Sequence, residues 1–226
     1  MTTKPKNEPS PRTRVLLVDD HPVVRAGIRS VIVQEPDLEV CGEAESASEA
    51  LQVILETKPD IAVVDLSLKQ SSGLELIKDI RLRYPALLVL VLSMRDESFY
   101  AERVLRAGAR GYVVKEEGCR VVVEAIRKIL KGQLYLSDRI ASKMLGAFVG
   151  GAQPGAALVE QLTDRELQVF ELIGKGVPTR EIAAKLHLSG KTIDAHRENI
   201  KRKMQIDSAT ELLKQAIEWL RQQDQT

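Results

Sequence analysis

Four short apolar runs, each closed by polar residues, constrain the fold of this chain more than any other feature. The runs are Val15–Val18, Ile61–Val64, Leu87–Leu92 and Tyr112–Val114, and Asp19-Asp20, Asp65, Ser93 and Lys115 stand at or just past their ends. Runs this short and this continuously apolar suit strands covered on both faces, as in a parallel sheet. Segments of helical period separate them, so residues 14 to about 130 are expected to alternate strand and helix. In a parallel sheet all C-terminal strand ends share one edge. The carboxylates, hydroxyl and ammonium would therefore converge where open α/β folds place their sites.

A further run, Leu38–Ala44, sets Leu38, Val40 and Gly42 against Glu39, Cys41 and Glu43, which suits an edge strand. Five strand–helix units in this length point to an α/β, flavodoxin-like (βα)5 order. Helix starts are legible as capping boxes in Ser46 with Glu49 and Ser72 with Glu75. Beyond Gly132 the pattern changes. One amphipathic segment (Leu136, Ile140, Met144, Phe148), with Ser137 as its cap, precedes the small-residue tract Gly150–Gly155. Four helical periods follow: 163–175, 178–186, 189–204 and 208–222, with boxes at Thr163/Glu166 and Ser208/Glu211 and with Pro178 in a first turn. The expected organisation is a disordered lead over 1–13, an α/β domain over 14–131, a linker with a short helix over 132–157, and a small all-α four-helix domain over 158–226.

At 226 residues the chain has room for two modest domains, and its net charge of +1 leaves no global pull toward polyanions. No apolar stretch approaches membrane-spanning length, so no membrane partner is expected. Cys41 and Cys119 are far apart in no metal spacing and read as small buried hydrophobes in a reducing, cytoplasmic compartment. Met1–Arg14 holds charges and prolines without a hydrophobic core, unlike a signal peptide.

Three carboxylates meeting one lysine are expensive to assemble without a metal ion or a phosphoryl group. Hard oxygen donors in this number suit Mg²⁺, which takes one or two carboxylates directly and keeps waters. A carboxylate left beside the ion can attack phosphorus, with Lys115 and Ser93 stabilising the phosphoryl oxygens, to give an acyl phosphate on Asp65. Aspartate and serine are also common turn residues and a lysine there could be merely solvated, but five such residues at matching strand ends argue for a site. Tyr112 fits either plain packing or a ring that changes rotamer when Ser93 moves.

With Val18-Asp19-Asp20-His21, Val64-Asp65-Leu66, Leu92-Ser93, Gly111–Lys115 and Gly73 eight residues past Asp65, Arg14–Leu130 resembles the receiver domain of bacterial two-component response regulators. The resemblance implies phosphorylation of Asp65 by a histidine kinase. It also implies Mg²⁺ held by Asp19, Asp20, Asp65 and the backbone carbonyl of Ser67, and Ser93, Tyr112 and Lys115 as phosphate-sensing groups. Lys69 and Glu116 stand where many receivers have proline.

In the helical half, Ile182–Ser189 reads as helix, tight turn and capped new helix, with alanines small enough for two helices to cross closely. On the helix from Ser189, Ile193, His196, Ile200 and Met204 share one side. Lys185, Lys191, Arg197, Lys201, Arg202 and Lys203 against Asp194 and Glu198 give a local excess of four positive charges, a footprint for a phosphate backbone. Leu162–Met204 is similar to the LuxR-type DNA-binding domain of NarL/FixJ-class regulators, carried by Glu166, Gly176, Ile182-Ala183, Leu188-Ser189, Thr192-Ile193 and His196. That similarity makes Lys191, Thr192, Asp194, Ala195, Arg197, Glu198, Lys201 and Arg202 the candidate DNA-facing residues. Asp194 and Glu198 depart from the lysine or valine often found there. A carboxylate can accept from cytosine N4 and Ala195 can touch a thymine methyl, whereas Lys191, Arg197, Lys201 and Arg202 suit phosphates.

The expected function is thus a phosphorylation-controlled transcriptional regulator, not an enzyme, with a histidine kinase, promoter DNA and a second copy of itself as partners. In the last helix Leu212, Leu213, Ala216, Ile217 and Leu220 fit either a dimer contact or internal packing. Three other readings compete: a regulator that never uses phosphate, a flavodoxin-like phosphohydrolase, and a protein-binding adaptor. The phosphohydrolase reading is weakened by Ser67, where such enzymes show a second aspartate.

Overall fold

The computed structural model describes residues 12–68, 72–95, 97–150, 156–159, 161–186 and 188–224. The expectations for Lys69 and for the Gly-rich tract beyond Gly150 fall outside these residues, as does nearly all of the expected N-terminal lead. Two compact units emerge, one through Ile140 and one from Ala141 onward.

The first unit alternates β1 (Thr13–Val18), α1 (Pro22–Ile32), β2 (Leu38–Ala44), α2 (Ala47–Thr57), β3 (Ile61–Val64), α3 (Gly73–Arg83), β4 (Leu88–Ser93), α4 (Glu97–Ala107), β5 (Gly111–Val114) and α5 (Cys119–Leu130). All strand pairs are parallel, in the order β2-β1-β3-β4-β5, the flavodoxin-like arrangement. Both faces are covered, which explains the unbroken apolar strands. Val15, Leu17, Ile61, Val63, Leu90, Leu92 and Val113 pack with Ile28 and Ile32 of α1 and Val122, Ile126 and Ile129 of α5. The alternate positions Leu16, Val18, Ala62, Val64, Val89 and Val91 are equally buried.

β1 lies between β2 and β3, so the chain leaves it toward one side and returns on the other. The crevice at that switch point receives the turn after β1 and the turn after β3, and Val18 pairs directly with Val64. β2 is the edge strand that its alternation implies. Its register skips a residue, Val15 facing Val40 and Leu16 facing Gly42, which leaves Cys41 as the extra residue of a bulge. Both cysteines are half-buried rather than buried, and the Cys41 thiol lies 3.5 Å from the carbonyl of Val15.

β5, at the other edge, is not left open. The amide of Tyr112 donates to the carbonyl of Tyr135 (2.8 Å), and Tyr135 donates to the carbonyl of Arg110 (3.0 Å). The start of the expected linker is therefore paired chain, covering an edge that would otherwise present free backbone groups. α6 (Asp138–Gly150) follows, with Ser137 Oγ accepting from the Ile140 amide as its cap.

The second unit holds α7 (Ala156–Val159), α8 (Asp164–Gly174), α9 (Thr179–Lys185), α10 (Gly190–Met204) and α11 (Ala209–Asp224), the expected four helices plus one short turn. Thr163 and Glu166 form the reciprocal capping box, at 3.3 and 2.7 Å. Ser72 makes no capping bond, and Glu75 pairs with Lys78 instead. Leu167, Phe170, Ile173, Ile182, Ile193, Ile200, Met204, Leu212 and Ala216 fill the core, and Trp219 packs on Phe170 with ring centres 5.6 Å apart. The apolar side of α11 is thus divided: Leu212 and Ala216 face inward, whereas Leu213 is 39 % exposed. No helix among the described residues is long and apolar enough to cross a membrane.

Candidate functional site

The crevice between β1 and β3 gathers the polar residues of both turns. Asp19 and Asp20 follow β1, Asp65 follows β3, and Lys115 arrives from the end of β5 on a 3₁₀ turn over Lys115–Glu117. The carboxylates are 3, 7 and 2 % exposed, respectively. Lys115 Nζ stands 2.6 Å from Asp19 Oδ2 and 2.7 Å from Asp65 Oδ2, bridging the two turns. Asp65 Oδ1 accepts from the amide of Ser67 at 3.0 Å, which fixes the carboxylate's orientation.

One lysine does not balance three buried carboxylates. Burial raises the pKa of Asp65, against the opposing pull of Lys115. For Lys115 burial works downward, but attraction to Asp65 and Asp19 prevails and the ammonium is held charged. Asp20 Oδ1 is buried and receives no hydrogen bond, although His21 Nδ1, itself bonded to Asp19 Oδ1, stands 2.9 Å away. One ligand atom from each of Asp19, Asp20, His21 and Asp65 falls within 4.8 Å of the others. A pocket of hard oxygen donors with excess negative charge, in which the buried Asp20 Oδ1 has no hydrogen-bond partner and Asp19 Oδ2 only its ion pair with Lys115, fits Mg²⁺. Asp19, Asp20 and Asp65 could hold such an ion.

Two neighbours of the pocket were not singled out from sequence. Arg25 lies on the buried stripe of α1 with Ile28 and Ile32. Its guanidinium donates to the carbonyl of Asp19, to Glu43 (3.0 Å) and to Glu45 (2.7 Å). It clamps the β1 turn to the edge strand, and a charged residue on an apolar stripe was the available signal. Arg95, two residues past Ser93, had no comparable signal. Its amide donates to Ser93 Oγ (3.3 Å), its carbonyl accepts from the Tyr112 hydroxyl (2.8 Å), and its side chain reaches Ser67 Oγ (3.2 Å). Ser93 and Tyr112 are both buried, and burial pushes the tyrosine hydroxyl's pKa well up.

Gly73 has a positional reason as well. A Cβ built there would lie 2.1 Å from the carbonyl oxygen of Asp65, because α3 starts directly against the backbone of the β3 turn.

On α10, Ser189 Oγ caps the helix by accepting from the Thr192 amide at 3.1 Å, and its hydroxyl meets that of Thr192 at 2.7 Å. Lys191, Asp194, Ala195, Glu198 and Arg202 are exposed, while Thr192, Arg197 and Lys201 are half-buried. The positive stripe is thinner than the residue count implies. Lys203 Nζ is committed to buried Glu166 (2.6 Å), and Lys201 pairs with Glu198 (2.8 Å). Lys191 and Arg197 have no ion pair among the described residues, and Arg202 leans on Asn199. His196 is half-buried, and that burial lowers its pKa.

Comparison with known proteins places both units. Residues 15–127 match the family model of the response regulator receiver domain, and residues 160–216 match that of bacterial regulatory proteins, luxR family. The oxygen regulatory protein NreC of Staphylococcus aureus (strain MRSA252) is 34 % identical over 209 residues, 90 % of this chain and 96 % of NreC. A two-component response regulator of the LuxR family from Aurantimonas sp. SI85-9A1 is 39 % identical with a TM-score of 0.57, covering 62 % of this chain and 99 % of that one. RcsB of Salmonella enterica serovar Typhimurium, bound to promoter P1flhDC in the presence of phosphomimetic BeF3-, is 27 % identical with a TM-score of 0.59, covering 91 % and 98 % of the two chains. A second RcsB structure, of two dimers bound to two parallel DNAs, is 26 % identical with a TM-score of 0.55, covering 91 % and 98 %.

The close approach at Gly73 generates a test. Gly73→Ala forces backbone against backbone beside Asp65, so it should destabilise the first unit by about 1–3 kcal/mol. Denaturant unfolding followed on that unit checks this, and an unchanged midpoint would contradict it.

Proposed function

The chain belongs to the LuxR-type two-component response regulators, transcription factors that join a receiver to a DNA-binding domain, and from that premise we propose that phosphorylation of Asp65 by a histidine kinase controls its binding to promoter DNA. One observation carries the phosphoryl reading: a carboxylate oxygen of Asp65 is held 2.7 Å from Lys115 Nζ in a pocket with excess negative charge. A carboxylate oxygen of Asp65 attacks phosphorus, the phosphorus–nitrogen bond of the donor's phosphohistidine breaks, and an acyl phosphate forms. Lys115 then faces the phosphoryl oxygens. Mg²⁺, held by Asp20, Asp65 and the backbone carbonyl of Ser67 with Asp19 alongside, would supply the remaining positive charge.

Ser93 is the hydroxyl donor for the new phosphoryl group. Its movement would break the bond from the Arg95 amide, and because the carbonyl of the same residue accepts from the Tyr112 hydroxyl, the tyrosine would respond. Only a few kcal/mol need separate the two states. The backbone of Tyr112 is bonded to Tyr135 and Glu97 accepts from the Ser137 amide (3.0 Å), so the change has a path toward the segment leading into α6.

The receiver is assigned to 14–131, the linker to 132–157 and the DNA-binding domain to 158–226, acting in the cytoplasm. On α10 we assign phosphate contacts to Lys191, Arg197, Lys201 and Arg202, and base-edge contacts to Asp194, Ala195 and Glu198, with Thr192 at the DNA-facing start of the helix. The RcsB dimers on DNA support action as a homodimer.

Asp65→Asn should abolish labelling of the full chain by acetyl phosphate in the presence of Mg²⁺; retained labelling would move the phosphoacceptor elsewhere. Arg202→Ala should weaken binding to promoter fragments and lower the slope of log affinity against log salt by about 0.9. An unchanged slope would remove Arg202 from the interface.

A further inference from the structure

His21 is the one member of the pocket to which the phosphoryl chemistry assigns no task. It stands at the N-cap of α1, yet its side chain makes no capping bond. Its backbone is pinned instead, the amide donating to Asp19 Oδ1 at 2.8 Å. That places the ring over the pocket mouth with its side chain 61 % exposed, Nδ1 lying 3.0 Å from Asp19 Oδ1 and 2.9 Å from Asp20 Oδ1. For six-coordinate ions with bonds near ~2.1 Å, adjacent donors stand ~3.0 Å apart and opposite donors ~4.2 Å. The imidazole nitrogen therefore keeps the spacing of an adjacent ligand from Asp20 Oδ1 and, in the arrangement where it also hydrogen-bonds Asp19 Oδ1, lies in a cluster whose ligand atoms, one from Asp65 included, are all within 4.8 Å of one another. The second observation is the buried Asp20 Oδ1, which has no hydrogen bond of its own despite the ring beside it.

We propose that His21 supplies an imidazole nitrogen to the divalent ion of this pocket, so that the site discriminates between metals instead of serving Mg²⁺ alone. The inference rests on the reading of the pocket as a metal site. Mg²⁺ prefers oxygen and gives up its waters reluctantly, so a nitrogen adds little for it. Imidazole suits borderline ions such as Co²⁺, Ni²⁺ and Zn²⁺, whose affinity rises when one oxygen donor is exchanged for nitrogen; Mn²⁺ is harder and gains least in that series, yet it accepts a nitrogen ligand more readily than Mg²⁺. At 61 % exposure the side chain can adjust its ring angle toward an ion without repacking its neighbours. Where Mg²⁺ is scarce relative to Mn²⁺ or Zn²⁺, the pocket would then hold the transition-series ion.

The test uses the full-length chain with Mn²⁺ as the paramagnetic probe, its affinity measured alone and in competition with Mg²⁺. Electron spin-echo spectroscopy of the bound ion should show a directly coordinated nitrogen. His21→Ala should abolish that signal and reduce the ratio of Mn²⁺ to Mg²⁺ affinity about tenfold. His21→Asn, which keeps a good N-cap residue, should do the same, so that a change in helix stability is not mistaken for loss of a ligand. Asp20→Asn should weaken both ions together. If Mn²⁺ binds and Asp20→Asn weakens it, but no coordinated nitrogen is seen and His21→Ala leaves the ratio unchanged, the role of His21 is overturned and the oxygen pocket stands. If neither ion binds the wild-type chain, the pocket itself is not a metal site and the proposal falls with it.

Discussion

Negative charge taken out of water is costly, several kcal/mol for each ion even after relaxation, and the first unit concentrates it at one point. Asp19, Asp20 and Asp65 are all nearly inaccessible, and among the described residues Lys115 is the lysine or arginine whose charge lies between Asp19 and Asp65. Everything around the pocket works to hold that arrangement. The parallel register brings the β1 and β3 turns side by side, Arg25 ties the β1 turn to Glu43 and Glu45, and Gly73 lets α3 close against the β3 turn. A site built this way is destabilised until a cation or an electrophile changes its charge. That makes it a natural place for an input signal.

The same economy of contacts connects the pocket to the rest of the receiver. Arg95 touches Ser93, Tyr112 and Ser67 at once, so in the proposed switch a hydroxyl moving toward a phosphoryl group would disturb a tyrosine buried on β5. Because β5 is an edge strand, its free backbone groups are met by Tyr135, and residues just outside the sheet share hydrogen bonds with that strand. Charge at Asp65, packing at Tyr112 and chain path after α5 are thus linked by ordinary hydrogen bonds.

Much of this was legible in the residues. Strand runs located β1, β3, β4 and β5 to within two residues, because parallel strands buried on both faces leave an unmistakable apolar signature, and the alternating Leu38–Ala44 run located the edge strand. The polar residues at the strand ends marked the pocket for the same reason. Signals that depend on tertiary partners were not legible. The bulge at Cys41 arises from pairing with β1, and at Ser72 no capping bond forms while Glu75 pairs with Lys78. Charge counting overstated the stripe on α10, since sequence does not reveal that Glu166 claims Lys203 or that Glu198 claims Lys201. Within α11, periodicity grouped Leu212 and Leu213, and only packing against α8 separates the buried residue from the exposed one.

Isothermal titration calorimetry of the full chain with Mg²⁺ tests the central claim most directly, because the claim is that the pocket's charge is unbalanced without a divalent ion. One ion per chain should bind, and neutralising one carboxylate by Asp20→Asn should remove most of the heat. No binding to the wild-type chain, or binding that survives the substitution unchanged, would contradict the account.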